Sequence, residues 1–410
     1  MDNFTRHFFP VLTQLPIVLS RGEGSWVYDT SGNKYLDLNS GQFCAILGHS
    51  NKDIAKIVAD SSLKIQNTGT LALSEDAVKA ADYLHDICPE MNARVVILST
   101  GAEANEACLR YLKFLNNKPG VICFDRAYHG LTHGTESYSM AGRHVRPAVP
   151  DTYVVPVPKN NSEDEIDKCL EVLETTVQTY KDRIACAFFE PIVSSGGLII
   201  PYERYFVETQ RILKSNGIFL AFDEAQTGMG RTGFWFCCQR YGVVPDAITL
   251  SKGLGAGYPV SAVLFNGNSF NEDSYVMHMY SSHQNDPFAS AIICGVIDTI
   301  KKGGLLESNV KKGELLLSKL KELEKKYPDR IRNARGCGLM CGFDISDESI
   351  SDKEAAIKGS SFVLNALKQN LLLQDCNSGR TIRLLPNYYL TEEEFDYLIN
   401  GIEKMFKEGE

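Results

Sequence analysis

A single lysine, Lys252, stands at the end of an apolar stretch and is followed by three glycines within five residues, in TLSKGLGAG (249–257). Burial disfavours the charged ammonium, and a neutral amine is a nucleophile. A lysine at a strand end with its ammonium group in water would give the same letters, because lysines are nearly always exposed. The segment therefore suggests covalent chemistry, which other segments must support.

A carboxylate, Asp223, ends another very apolar run in FLAFDEAQTGMGRTG. It costs desolvation energy unless a cation faces it, either a basic side chain such as Arg231 or a positively charged ligand atom. The strand resembles the metal-binding strand of an ATPase, but the chain has no GxxxxGK[ST] loop. Gly228, Gly230 and Gly233 spell GxGxxG, yet five residues separate them from the apolar run, so a nicotinamide site is a weak alternative.

A third segment, STGAEANEACLRYLK, predicts a helix that begins directly after a strand. The backbone N–H groups of Gly101 and Ala102, at the positive end of the helix dipole, would bind an anion such as phosphate. The hydroxyls of Ser99 and Thr100 could add hydrogen bonds. The alternative is a capping box, Thr100-x-x-Glu103, which only starts the helix.

Together these segments match pyridoxal phosphate. This cofactor needs a lysine for its aldehyde, an anion site for its phosphate, a carboxylate for its pyridine nitrogen and a flat group against its ring. The residues that supply these groups, in that order, are Lys252, Gly101 with Ala102, Asp223 and Tyr128. The neighbouring His129 is predicted to be a packed structural residue, as a single histidine beside an aromatic usually is.

Short apolar runs alternate with helix-like segments and predict an α/β fold with a mainly parallel sheet covered on both faces. The runs are 94–100, 120–125, 184–190, 217–224, 246–252 and 260–265. Ligands bind at the carboxyl ends of such strands, where the lysine, the carboxylate and the helix start all fall. Beyond residue 287, longer helices and shorter strands predict a smaller α+β lobe, and the N-terminal residues predict antiparallel strands around a turn at 31–33.

Composition narrows the class of protein. The chain has 410 residues, of which 44% are hydrophobic and 23% charged, as is typical of globular proteins. A net charge of −9 argues against a nucleic-acid surface. We expect a cytoplasmic protein without a membrane segment, since the chain shows no apolar run of eighteen residues and no secretion-type start. Its twelve cysteines form no CxxC pair and are predicted to be free thiols.

Six segments, in their order, resemble the class III pyridoxal-phosphate aminotransferases of fold type I. They are STGAEANEA, YHG, FEPIVSSGG, FDEAQTGMGRTG, TLSKGLGAG and NDPFASA, and the resemblance runs from about Gly22 to the C-terminal helix. It implies a large domain (46–290) with a mostly parallel seven-stranded sheet, and a small α+β domain built from residues 1–45 and 291–410. It also implies a homodimer or a dimer of dimers that acts on an amino donor and a keto acid or aldehyde.

The resemblance assigns roles by position. Lys252 would be the Schiff-base lysine that also moves the substrate proton, Asp223 would bind the pyridine nitrogen, and Gln226 the ring hydroxyl. Tyr128 would stack on the ring. The implied cofactor-binding set is Thr100, Gly101, Ala102, Tyr128, His129, Glu190, Asp223, Gln226, Lys252 and the partner subunit's Ser282.

The resemblance also implies a substrate side. Arg383 matches the arginine that binds the substrate α-carboxylate, for which its planar fork is suited; a solvent-facing strand arginine is the alternative. Glu190 matches an acidic residue that can pair with this arginine, or it anchors structure. Gln42 and Ser195 match substrate-side positions of dialkylglycine decarboxylase, the member that SGQ, SSGG and HQNDP resemble most.

That likeness leaves several outcomes open. Transamination is the main hypothesis. Decarboxylation-dependent transamination or amino-acid racemisation on the same cofactor is the second hypothesis, and cofactor binding without turnover is the third. The likeness also implies an alkali-metal site, and its hydroxyl and carbonyl oxygens with one carboxylate would suit a hard monovalent cation. The ligands would be Asp286 and Thr70, with the backbone of Thr68, Ser282 and Gln284. Asp286 could equally cap a helix before Pro287.

Overall fold

The computed structural model describes residues 7–9, 14–69, 71–143, 149–270 and 280–408. Its large domain is built on a seven-stranded sheet. Numbered in chain order and given in their order across the sheet, the strands are β4 (Arg94–Leu98), β10 (Ser261–Phe265), β9 (Ala247–Leu250), β8 (Phe219–Asp223), β7 (Ile184–Phe189), β5 (Gly120–Phe124) and β6 (Thr152–Val155). All neighbours are parallel except β10, which is antiparallel to β4 and β9. The predicted mostly parallel sheet is confirmed.

The sheet is covered on both faces, which explains its unbroken apolar strands. All six residues of β7 (IACAFF) are buried. In β5, Val121 and Cys123 pack into one hydrophobic cluster, whereas Ile122 and Phe124 pack into the other. Because successive side chains of a strand point to opposite faces, this split places a core on each side of the sheet.

The helices flank this sheet and extend into the small domain. They are α1 (Ser40–Phe43, one distorted turn), α2 (Lys52–Ser62), α3 (Glu75–Asp86), α4 (Gly101–Asn116), α5 (Met140–Arg143), α6 (Glu163–Tyr180), α7 (Glu203–Ser215), α8 (Cys237–Arg240), α9 (Pro287–Lys302), α10 (Leu305–Lys326), α11 (Asp352–Lys368) and α12 (Glu392–Glu408). Side chains of Asn51, Ser74, Thr100 and Ser162 cap four of them, as these residue types commonly do. No described helix is long and apolar enough to cross a membrane.

Strands from both ends of the chain form the small domain, as predicted. One sheet joins β1 (Leu19–Glu23), β2 (Trp26–Asp29) and β3 (Lys34–Asp37) to β13 (Leu371–Leu372). The other contains β11 (Arg332–Cys337), β12 (Met340–Asp344), β15 (Thr381–Leu384) and β14 (Gln374–Cys376). Leu36 pairs with Leu371, so residues more than three hundred positions apart complete one sheet. The exact domain bounds stay a prediction.

Most local predictions agree with these elements. The six predicted strand regions all contain strands, and β2 and β3 form a hairpin whose turn includes Gly32 at φ 87°. The edge strand β6 was not predicted. The antiparallel direction of β10 was not predicted either; it follows from the short connection after β9, which contains no crossover helix. All twelve cysteines are free.

Candidate active site

Lys252 begins a single 3₁₀ turn (Lys252–Gly255) just beyond the carboxyl end of β9. Its backbone has φ 43°, in the left-handed region that is uncommon for residues other than glycine. Burial lowers the pKa of its amine, although the nearby charges of Asp223 and Glu190 act in the opposite direction. A lowered pKa increases the fraction of the neutral, nucleophilic amine.

Asp223 ends β8 as a buried anion surrounded by donors. Its Oδ2 accepts hydrogen bonds from Asn105 Nδ2 at 2.8 Å and shares one with His129 Nδ1 at 2.9 Å, while Oδ1 accepts from the Ala225 N–H at 3.0 Å. Burial alone would raise the pKa of this carboxyl, but His129, the charge of Lys252 and the Ala225 N–H outweigh it and hold the pKa below its usual value. A carboxylate of this kind suits a cationic ring nitrogen.

The start of α4 is capped and still has free donors. Thr100 Oγ1 accepts from the Glu103 N–H at 3.4 Å, and Glu103 Oε2 accepts from the Ser99 N–H at 3.0 Å. The N–H groups of Gly101 and Ala102 find no acceptor within the described part of the chain. The Thr100 cap and the anion site are therefore compatible, because the cap uses the Glu103 N–H and leaves the N–H groups that would bind phosphate.

Close packing brings the helix start to the lysine segment. A Cβ atom on Gly101 would lie 3.2 Å from the Ser251 Cβ, so the helix start abuts the residue before Lys252. A Cβ on Gly130 would lie 2.7 Å from the Ala102 Cβ, and Gly130 has φ 107°. Only glycine combines this conformation with this approach. The lysine, the carboxylate and the anion site therefore converge at one edge of the sheet.

Glu190, directly after β7, anchors two loops of the site. Its carboxylate accepts from the Tyr128 N–H at 2.8 Å and from the Ser194 N–H at 3.3 Å. Burial raises the pKa of Glu190 to about 7, against the opposing effect of His129. The Ser194 hydroxyl donates to Gln226 Oε1 at 2.8 Å, which joins this carboxylate to a further predicted cofactor residue.

Arg383, on β15, is buried and has no carboxylate partner within the described residues. Its Nη1 donates to the hydroxyls of Ser194 at 3.1 Å and Ser195 at 3.3 Å, and its Nη2 donates to Gln374 Oε1 at 3.3 Å. The guanidinium carbon lies 4.7 Å from the centroid of the Phe43 ring. The solvent-facing alternative is wrong, because this arginine is only 4% exposed. Its hydrogen-bond partners in the described structure are neutral, so it suits an incoming carboxylate.

The other predicted residues lie at the edge of this arrangement. Gln42 is exposed on the distorted turn α1, which is fixed because Asp37 accepts from the N–H groups of Asn39 at 2.8 Å and Gly41 at 2.7 Å. Ser282 is exposed, and its carbonyl accepts from Asn67 Nδ2 at 2.7 Å.

The predicted metal ligand Asp286 caps α9. Its Oδ1 accepts from the N–H groups of Phe288 and Ala289, and its Oδ2 shares a hydrogen bond with His283 Nδ1 at 2.7 Å. The capping alternative is confirmed. Thr70 lies outside the described residues, so the alkali-metal site stays a prediction.

Several residues of the site were not predicted. Asn105 lies one helical turn beyond Gly101, a spacing that could have revealed it. Ser194 and Phe43 contact Arg383 without any local signal. The suggestion that Arg231 pairs with Asp223 is wrong, because its Nη1 donates to the carbonyls of Leu339 and Pro386.

This set of groups fits pyridoxal phosphate. The site combines an amine of lowered pKa, a buried anionic carboxylate and free N–H groups at a helix start, and His129 Nε2 is a buried polar atom without a partner among the described residues. On a sheet of this topology, such a site defines a pyridoxal-phosphate enzyme of fold type I.

Comparison with known proteins identifies the family. The profile described as "Aminotransferase class-III" matches residues 10–406. The chain belongs to this family and is a pyridoxal-phosphate-dependent aminotransferase. It is 34% identical to an uncharacterized aminotransferase of Schizosaccharomyces pombe, over 92% of this chain and 88% of the other. It is 28% identical to the leucine/methionine racemase of Thermococcus litoralis, over 97% and 92% of the two chains.

A solved structure supports the fold. The (S)-enantioselective omega-transaminase from Thermomicrobium roseum superposes with a TM-score of 0.90, covering 99% of this chain and 97% of that one, at 25% identity. The likeness to dialkylglycine decarboxylase stays a prediction.

Proposed function

We propose that this aminotransferase acts on substrates that carry a carboxylate beside the reacting amine, and that Arg383 binds this carboxylate. The observation that carries the proposal is a buried guanidinium that, among the described residues, is held only by neutral oxygens. A buried cation without a counter-ion is costly. A substrate carboxylate would supply the missing charge, and it could replace the serine hydroxyls without breaking an ion pair.

The chain's own groups divide the remaining work. When bound, pyridoxal phosphate supplies an aldehyde for amines and a ring that withdraws electrons from the reacting carbon. Asp223, held by His129 and Asn105, would keep a proton on the ring nitrogen. The N–H groups at the start of α4 would bind the phosphate, and Tyr128 would lie against the ring.

Lys252 is the proposed catalytic base. Its Nζ would take the proton from the substrate Cα and return it at the aldehyde carbon of the cofactor, which lies on the other side of the amine nitrogen. Burial favours the neutral amine that this step requires, and the lowered pKa brings the group closer to neutral pH, where proton transfer is most effective. Its fixed place on a strained turn would hold the amine beside the reacting carbon.

We also propose a homodimer, alone or as a dimer of dimers. Four large apolar side chains close together in sequence are exposed, namely Leu63 (86%), Ile65 (54%), Leu71 (99%) and Leu73 (64%). Such a patch is typical of a protein interface. The partner subunit's Ser282 would also complete the phosphate site.

The twelve free thiols are consistent with a cytoplasmic location, because disulfides are rare in that compartment.

Racemisation is the second candidate, favoured by the similarity to the racemase of Thermococcus litoralis. It needs the same lysine and carboxylate and differs in where the proton returns. Decarboxylation-dependent transamination is a third outcome, supported by Gln42 and Ser195.

A panel of amino donors with purified holoenzyme tests these outcomes. Formation of a keto acid from an amino acid, with conversion of the cofactor to its amine form, supports transamination. Loss of an α-deuterium without keto product would select racemisation, and carbon dioxide release from a disubstituted amino acid would select decarboxylation. Equal rates with amines that lack a carboxylate would contradict the role of Arg383.

A further inference from the structure

A cavity of about 620 Å³, called here the interdomain cleft, lies between the two domains. It is lined by Arg126, Lys159 and Gly196 of the large domain and by Asp347, Glu348 and Arg380 of the small domain, among others. Neither Lys252 nor Arg383 lines it. The cleft is therefore distinct from the site described above, although its volume is in the usual range for small-molecule sites.

The cleft carries an excess of positive charge. Six basic side chains line it against three carboxylates; the basic ones are Arg126, Lys159, Arg240, Lys321, Arg335 and Arg380, and the carboxylates are Asp344, Asp347 and Glu348. The whole chain, in contrast, has a net charge of −9. A local excess of three positive charges on an acidic protein concentrates anions at this place.

Two of these cations, Arg240 and Lys321, have no counter-ion in the described part of the chain. Glu348 already binds Arg126 at 2.6 Å and Lys159 at 3.0 Å, and Asp344 binds Arg335 at 2.8 Å. Asp347 binds Arg332, which does not line the cleft, at 2.5 Å. No carboxylate of the described residues lies within ion-pair distance of Arg240 or Lys321. The lining carboxylates are therefore used, and the free positive charge is available to a ligand.

Neutral polar groups complement this charge. Asn160, Asn161 and Asn377 line the cleft and can donate to oxygen atoms. Ser346 also lines it, and its hydroxyl is buried without a hydrogen-bond partner in the described part of the chain. An unpartnered buried hydroxyl is unfavourable unless a ligand or water meets it.

We propose that the interdomain cleft binds a small anion with two or more closely spaced negative charges, carried by carboxylate or phosphate groups. Guanidinium and ammonium groups suit both, and arginine binds either one through two parallel hydrogen bonds. Since the lining comes from both domains, the bound anion bridges them.

Isothermal titration of the holoenzyme at low ionic strength tests the proposal, with citrate and pyrophosphate as separate probes and acetate as the monovalent control. We expect one citrate or one pyrophosphate per chain, bound at least about tenfold more tightly than acetate. The probe that binds better distinguishes a carboxylate from a phosphate ligand.

Variants assign the binding to the cleft. The double variant R240Q/K321Q should weaken binding at least about tenfold, since each lost charge removes a charge-assisted contact. K311Q is the control: it removes one charge from an exposed position of α10, the helix that carries Lys321, but outside the cleft. This variant should bind the probes as the wild type does. If the double variant fails to fold, Lys321→Glu replaces it in the binding measurement. The Lys321 side chain is exposed and has no hydrogen-bond or ion-pair partner among the described residues, so this substitution should leave the fold intact.

The Arg383→Gln variant separates the cleft from the active site and should keep full binding. The proposal is overturned if neither probe shows saturable binding, if K311Q weakens binding as much as the cleft variants, or if only Arg383→Gln abolishes it. Because binding is measured directly, none of these results depends on which amino donor the enzyme uses.

Discussion

The two ends of the active site are held in different ways. At the proposed cofactor end, Asp223 receives hydrogen bonds of 2.8–3.0 Å that come, among the described residues, from the large domain alone. At the proposed substrate end, Arg383 belongs to the small domain and reaches serine hydroxyls of the large domain at 3.1–3.3 Å, with its Nε unpartnered in the same described part of the chain.

This difference separates a preorganised site from an exchangeable one. A buried carboxylate whose two oxygens both accept hydrogen bonds keeps its charge and position whatever substrate is present. An arginine held by neutral hydroxyls can exchange them for a carboxylate at little cost, because no ion pair is broken. The cofactor end should therefore control the rate of chemistry, and the substrate end should control which molecule reacts.

Lys252→Ala should have the largest effect, because it removes both the nucleophile and the base. We expect kcat to fall by more than about 10⁴-fold, with loss of the yellow colour of the bound cofactor, measured by steady-state kinetics and absorbance. Lys312→Met is the matched control, since burial also lowers the pKa of Lys312 but its amine bonds the Tyr388 carbonyl. Full activity of the alanine variant would overturn the assignment of the site.

Asp223→Asn tests the cofactor end more finely. The amide keeps an acceptor for Asn105 and His129 but removes the buried negative charge, so kcat should fall by about 10²–10³-fold, as for other preorganised electrostatic groups. Cofactor affinity should fall as well, measured by equilibrium dialysis. A loss below about threefold would mean that the charge of Asp223 contributes little.

Arg383→Gln sharpens the contrast with the substrate end. For amino acids, kcat/KM should fall by about 10–100-fold, mainly through KM, because a charge-assisted bond is lost in the ground state and the transition state alike. An amine without a carboxylate should be nearly unaffected. If both substrates lose equally, Arg383 supports the fold rather than the substrate.

Glu190→Gln should have the smallest effect, visible in the pH dependence of stability. The pKa of Glu190 is raised to about 7 from 4.5, so between these values the folded protein retains a proton that the unfolded chain has released. Stability of the wild type should therefore fall as pH rises through this window, by at least about 1 kcal/mol relative to the variant. Urea unfolding of both cofactor-free proteins at pH 5 and 7.5 measures this, and a constant difference would contradict it.

Local signals in the sequence predicted the groups proposed for catalysis. Lys252, Asp223 and the start of α4 each follow a continuous apolar run, and a parallel sheet places such run ends at one edge. Asp29 and Gly32 likewise make the turn between β2 and β3 predictable from the sequence. The carboxylate of Asp29 accepts hydrogen bonds from the N–H groups of Ser31 and Asn33.

Only the tertiary structure decided the partners of these groups. Asn105 and His129 reach Asp223 across 118 and 94 positions, and Arg383 reaches Ser194 across 189. The pairing of β3 with β13 is equally remote. Periodicity reports how one segment is buried, whereas the choice of partner depends on which buried polar groups the fold brings within hydrogen-bond distance. The sequence therefore determined the chemistry available at the sheet edge, and the packing of the two domains determined how each group is held.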